Sequence, residues 1–84
     1  MFENKVVIVT GGAQGIGCSI AQKYVEQGAN VVVADVAEPA DATIHFIKTD
    51  VRNESHIQAL MAQTVERFGA IDILINNAGK FVVT

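Results

Sequence analysis

The stretch Thr10-Gly11-Gly12-Ala13-Gln14-Gly15-Ile16-Gly17 decides the fold. It follows Val6-Val7-Ile8-Val9, an unbroken β-branched run of the kind that suits a strand buried on both faces. After it, Ile16, Ile20, Ala21, Tyr24 and Val25 recur at helical spacing as one apolar face, until Gly28 supplies the stop. A second apolar run, Val31 to Ala34, comes next. Strand, glycine turn, helix and strand make one right-handed crossover unit of about thirty residues. In that setting the glycines have separate tasks. Gly11 lets the chain turn sharply off the strand, Gly15 keeps the surface bare where a pyrophosphate would approach, and Gly17 lets the helix pack close to the strand. The helix N-terminus then offers free N–H groups and positive dipole to phosphates. A glycine-rich turn without a ligand is the plain alternative, and the strand–turn–helix setting favours phosphate binding over it.

Working outward, Val36 to Asp41 reads as a loop punctuated by Pro39. Thr43 to Lys48 sets Ile44, Phe46 and Lys48 against His45 and Ile47, the alternation of a third strand. Asn53 is a good N-cap for a second helix, whose inner face is Ile57, Leu60, Met61, Thr64, Val65 and Phe68 and which ends at Gly69. Ile71, Ile73, Leu74 and Ile75 form a fourth strand that runs into Asn76-Asn77-Ala78-Gly79. A ferredoxin-like sandwich shares this β-α-β-β-α-β order, with its second and third strands paired as an antiparallel hairpin. The glycine chemistry decides for the other solution, an α/β, Rossmann-like, doubly wound parallel sheet of strand order 3-2-1-4.

Composition narrows the function classes. The 84 residues, half of them hydrophobic and 18% charged, make one small globular domain. A net charge of −3 gives nothing that attracts a phosphodiester backbone, so no nucleic-acid partner is expected. A single cysteine, Cys18, excludes an internal disulfide and a thiolate zinc cage and fits a reducing compartment. His45 and His56 lie too far apart to suggest a ligand pair, so no metal site is expected and both read as ordinary strand and helix residues. Met1-Phe2-Glu3-Asn4-Lys5 has no leader pattern, and the apolar runs fall far short of the ~20 residues of a spanning helix. The expectation is a cytoplasmic protein with no membrane partner.

Asp35 ends the second strand, eighteen residues after Gly17. A carboxylate there accepts hydrogen bonds from adenine-ribose hydroxyls and repels a 2′-phosphate, which favours NAD over NADP. Gln14 is neutral and supplies no basic partner for an extra phosphate, in agreement.

Thr10, Gly11, Gly15 and Gly17 match the T-G-x-x-x-G-x-G motif of the short-chain dehydrogenase/reductase family, and the chain resembles that family's N-terminal half. Asp50-Val51 matches the family's adenine-contacting pair, and Asn76-Asn77-Ala78-Gly79 its N-N-A-G loop, where the asparagines brace the sheet and the loop lies along the cofactor. The resemblance implies an NAD-dependent oxidoreductase, with residues 1–84 as its dinucleotide-binding half. The cofactor site it implies is Gly11, Gln14, Gly15, Ile16, Gly17, Asp35, Asp50, Val51, Asn77, Ala78 and Gly79. Two departures stand out. The family places a helix between its second and third strands, and Val36 to Ala42 is too short to hold one. Its Asn, Ser and Tyr-x-x-x-Lys active site has no counterpart, since Tyr24 is followed four residues later by Gly28. No catalytic residue is therefore expected in this stretch, and a non-catalytic module that binds a nucleotide weakly or not at all is the alternative. The apolar fourth strand as an open edge, with one helix on each face, predicts a homo-oligomer.

Overall fold

The computed structural model describes residues 2–41 and 44–77. β1 (Val6–Thr10) is buried at every position, because it is flanked on both sides and covered on both faces. Its neighbours are β2 (Asn30–Asp35) and β4 (Ile73–Asn76), and β3 (His45–Lys48) completes the sheet beyond β2. The strand order is β3-β2-β1-β4, and every pairing is parallel. The register Val32↔His45 through Asp35↔Lys48 removes the antiparallel hairpin that a ferredoxin-like sandwich requires. The doubly wound arrangement expected from the glycine turn is the one found.

Alternation along β1 divides the core in two. Val7 and Val9 face α1 (Gly15–Glu26), where they meet Ala21, Val31, Val33 and Ile44. Ile8 faces α2 (Glu54–Phe68) and packs with Val32, Ala34 and Leu60. Three helical residues assigned to these faces are in fact exposed. Val65 is 46% exposed, because the stripe that meets the sheet runs through Leu60 and Thr64, and five residues of helix turn Val65 well away from Leu60. Ile16 is 75% exposed, since it stands at the outer end of α1 beyond the sheet. Val25, 38% exposed, lines an open flank beside Glu38 and Ile44 of the β2–β3 connection.

That open flank follows from the β2–β3 connection. Only nine residues, Val36 to Ile44, join two parallel strands, where a dozen or more is usual. The connection carries no helix among its described residues and substitutes piecemeal cover. Pro39 and Ile44 are buried, and the Asp41 carboxylate accepts a hydrogen bond from Gln22 Nε2 on α1 at 3.1 Å. Thr43, expected to open the third strand, lies outside the described residues. A hollow of about 600 Å³ remains at this end of the sheet, lined by Val25, Val31, Phe46 and Phe68 among others.

The fourth strand starts at Ile73 rather than Ile71, for a reason visible at Asp72. Its backbone N–H donates to the Val6 carbonyl at 2.9 Å, and its carboxylate accepts from the Val6 N–H at 2.8 Å. This clamp fixes where β4 enters beside β1. No helix among the described residues is long and apolar enough to cross a membrane.

His45, at the start of β3, meets the Phe68 ring edge-on with centroids 5.7 Å apart. Burial, and then the Arg67 charge, hold its pKa below the ordinary 6.5. The fold therefore prefers neutral His45, while the unfolded chain takes up a proton as pH falls below 6.5, so stability drops there. Thermal melts between about pH 7.5 and 5.5 should show Tm falling with pH, and His45→Gln should flatten that slope.

Candidate cofactor site

The site is built where the C-terminal ends of the four parallel strands meet the first turn of α1. Thr10, fully buried at the end of β1, donates its hydroxyl to the Ile75 carbonyl at 3.3 Å and to Asn76 Oδ1 at 3.2 Å. The same hydroxyl oxygen accepts the Asn77 N–H at 3.1 Å. Gly11 then turns with φ of 66°, in the left-handed region, while its N–H still donates to the Ala34 carbonyl at 2.8 Å. The Gly11 carbonyl accepts from Asn77 Nδ2 at 3.1 Å. The asparagine brace expected from the motif is thus three contacts, two on Thr10 and one on Gly11.

Gly17 closes this junction. A Cβ on it would overlap the Gly11 carbonyl and press on the Asn77 side-chain amide. Gly15, at φ of 57°, has nothing within 4 Å of a would-be Cβ, so it presents the bare surface that an approaching phosphate needs. Gly12 escaped the sequence reading. It is buried, and a Cβ there would stand 3.0 and 3.1 Å from the Val33 methyls and 3.2 Å from the Val9 carbonyl. Its signal was the doubled glycine itself, at a turn that must cross closely over β2.

The two helix N-termini differ in the way a phosphate site requires. On α2, Asn53 Oδ1 accepts the N–H groups of Ser55 at 2.9 Å and His56 at 3.3 Å, and Glu54 adds an acid to the first turn. On α1, Gln14 holds the N-cap position without a side-chain cap bond, and the first turn has no acid. Among the described residues no side chain caps the start of α1, and the nearby Asp35 carboxylate takes only the Ala13 N–H ahead of it.

Beside the turn lies a hollow of about 280 Å³ lined by Gly11, Ala34, Asp35, Val36, Thr49, Asp50, Val51 and Arg52. It gathers four of the expected residues, Gly11, Asp35, Asp50 and Val51. Asp35 also has a structural task that the sequence did not show. Its Oδ2 accepts the Ala13 N–H at 3.1 Å, and Oδ1 accepts those of Val36 at 2.7 Å and Ala37 at 3.3 Å. The carboxylate so pins the glycine loop to the end of β2, and of its two oxygens Oδ2, with one bond, retains acceptor capacity. Thr49, also missed, is buried and joins β3 to β2 through its N–H on the Asp35 carbonyl at 2.9 Å. Asp50 receives the Arg52 guanidinium in two bonds of 3.1 Å, which holds its pKa below the ordinary carboxylate value and raises that of Arg52. His56, read as an ordinary helix residue, accepts the Asp50 N–H on Nδ1 at 3.0 Å and so steadies this loop.

Gln14 and Ile16 are exposed on the outer side of the glycine loop and do not line the hollow, while Asn77 joins it only through Gly11. Ala78 and Gly79 lie outside the described residues. Cys18 is half-buried with a free thiol.

The Gly17 contact makes a sharp prediction. In an ordinary helix Gly→Ala stabilises by ~0.4–1 kcal/mol, but here the methyl meets backbone. Gly17→Ala should cost roughly 1–3 kcal/mol or more by overpacking, a Tm loss of about 5–20 °C in a domain of this size. Gly15→Ala, with open space around it, should lose only the ~1–2 kcal/mol of a left-handed backbone. Calorimetry that ranks the two variants the other way would refute the junction described.

A family model described as short chain dehydrogenase matches residues 5–83. An uncharacterized oxidoreductase of Thermotoga maritima is 42% identical over 94 residues, covering 99% of this chain and 37% of its own length. With 94 aligned positions against 84 residues, at least ten positions of that relative have no counterpart here. The L-fucose dehydrogenase of Oryctolagus cuniculus is 42% identical over 94% of this chain and 30% of its own length. Among solved structures, the ligand-free aldohexose dehydrogenase of Thermoplasma acidophilum superposes with a TM-score of 0.87 at 36% identity, over 90% of this chain and 30% of that one. The chain spans about a third of the length of the curated relatives it matches. A match over nearly the whole chain, on a fold that brings the motifs' described residues to one sheet edge, makes the assignment: the chain belongs to the short-chain dehydrogenase family.

Proposed function

We propose that these residues form the NAD-binding part of a short-chain oxidoreductase. The observation that carries this is the hollow of about 280 Å³ in which Asp35, Asp50 and Val51 face Gly11, beside the uncapped start of α1. On this reading Val51 and Asp50 receive the adenine, and Asp35 accepts from a ribose hydroxyl with the acceptor site left on Oδ2. The pyrophosphate lies over Gly15, against the first-turn amides of Gly15, Ile16 and Gly17. Asn77 holds the end of β4 to the same turn, and with Ala78 and Gly79 belongs to the loop along the cofactor. The nicotinamide, when bound, exchanges a hydride with a carbonyl or alcohol carbon. This chain's part is to bind and orient the dinucleotide. The sequence holds no Tyr-x-x-x-Lys, so these residues supply no proton transfer of their own.

Asp35 carries a negative charge beside the ribose subsite and Gln14 adds no positive one, which supports NAD over NADP. NADH titrated into the chain should saturate its fluorescence change with a Kd of about 0.1–1 mM, only ~4–5.5 kcal/mol of binding. Asp35→Ala should weaken it roughly 10-fold or more, the loss of charged hydrogen bonds. Equal affinity for NADH and NADPH in the unaltered chain would refute the role of Asp35, and no response at millimolar NADH would refute binding.

The same reading includes self-association. β4 ends the sheet among the described residues, and Ile73, Leu74 and Ile75 on it are only half-buried. A second copy covering that edge would bury them. Sedimentation at tens of micromolar should show a dimer or larger species, and a single 8.9 kDa species would count against it.

A further inference from the structure

Arg52 follows the Asp50-Val51 pair and stands at the rim of the hollow that Asp35 also lines. Its side chain is 81% exposed, yet its position is held. The backbone N–H and Nε both donate to Asp50 Oδ1, at 3.0 and 3.1 Å, and Nη2 donates to Oδ2 at 3.1 Å. Among the described residues that line the hollow, Arg52 is the one cation. Lys48, the cross-strand partner of Asp35, is not among the lining residues. The hollow thus has two carboxylates and one guanidinium, and the guanidinium is committed to a carboxylate.

We infer that Arg52 is a specificity-determining residue for the ribose 2′-position: parked on Asp50 it leaves Asp35 to exclude a 2′-phosphate, and released from Asp50 it becomes the cation that accepts one. This rests on the nucleotide site proposed above. A 2′-phosphate entering beside Asp35 meets repulsion, and only a positive group in the same hollow can offset it. A planar guanidinium is the side chain best matched to phosphate oxygens, which it grips with two parallel bonds. While the Nε–Nη2 fork of Arg52 rests on Asp50, that side is occupied and its charge is offset by the carboxylate, which leaves only the Nη1 end free. The pair is exposed and therefore soft, so removing the Asp50 charge frees the arginine at little cost to the fold. Nucleotide preference is then set by Asp35 and Asp50 together, the first by repulsion and the second by holding the cation.

The test is the ratio of NADPH to NADH affinity, measured by fluorescence titration on the full chain, with circular dichroism melts to establish folding. Asp35→Ser alone should lose NADH affinity and gain little for NADPH. Asp35→Ser/Asp50→Asn should bind NADPH roughly 10-fold tighter than Asp35→Ser, the worth of a charge-assisted contact. Adding Arg52→Gln should erase that gain, and adding Lys48→Gln should leave it. Because Asp35 also anchors the Ala13 N–H, Asp50→Asn by itself provides a second arm with the loop intact. It should raise the NADPH:NADH ratio several-fold, and Arg52→Gln should return it. A ratio indifferent to Arg52, or one that follows Lys48, overturns this inference while NADH binding by the unaltered chain keeps the site. A folded chain that binds neither nucleotide overturns the site, and this role of Arg52 with it.

Discussion

Everything at the C-terminal edge of the sheet depends on the approach of Gly17 to the Gly11 carbonyl. With no side chain at Gly17, α1 starts against the end of β1 instead of standing off it. The Gly11 carbonyl points into the gap and accepts the Asn77 amide, so the end of β4 is drawn to the same point. Thr10 repeats the link one residue earlier, through Ile75, Asn76 and Asn77. Contacts separated by some 66 residues in sequence therefore define one rigid corner. A methyl group at Gly17 would separate three elements at once, which is why a helical glycine there is a structural requirement.

The fold was legible because burial on both faces leaves a plain mark. Val6 to Val9 and Val31 to Ala34 could be satisfied only by a sheet covered above and below, and helical spacing between them supplied the cover. The turn at Gly11 and the close approach at Gly17 could be read from the strand–turn–helix setting in the same way. What stayed hidden was decided by partners far away in sequence. That Asp35 takes the Ala13 N–H, twenty-two residues back, cannot be read from either neighbourhood. Nor can the Asp72 clamp on Val6, which sets the start of β4. Periodicity named Val25 and Val65 as inward-facing, but it reports direction and not the width of the layer beneath. The sheet here is narrow and its β2–β3 connection thin, so the flanks of both helices meet solvent.

The two helices show that an N-terminus can be closed or left open by the choice of a few residues. Asn53 and Glu54 satisfy and neutralise the start of α2, leaving nothing for a ligand. The start of α1 offers extended Gln14 and the left-handed Gly15, with no cap and no acid. An isolated helix would be the less stable for that omission. Here the corner made by Gly11 and Gly17 compensates by fixing the helix through backbone packing. Stability is supplied beside Gly15, and Gly15 itself stays bare of neighbouring side chains.

The short β2–β3 connection tests whether site and stability are separable in this fold. In a parallel sheet every strand delivers its C-terminal end to the same edge, and ligands of doubly wound sheets bind there. Gly11, Asp35, Thr49, Asp50 and Asn77 all lie at that edge, each just at or beyond the end of a strand. The connection leaves Asp35 at the site but returns at Ile44, next to the opposite edge, and the space it fails to fill opens among Val25, Asn30, Ile44 and Phe68. The missing cover thus thins the α1-side core and exposes Val25 without taking away any residue that faces the hollow at the C-terminal edge. Thin cover at one end of the strands leaves apolar surface exposed there, while the corner at the other end keeps its hydrogen bonds and close packing.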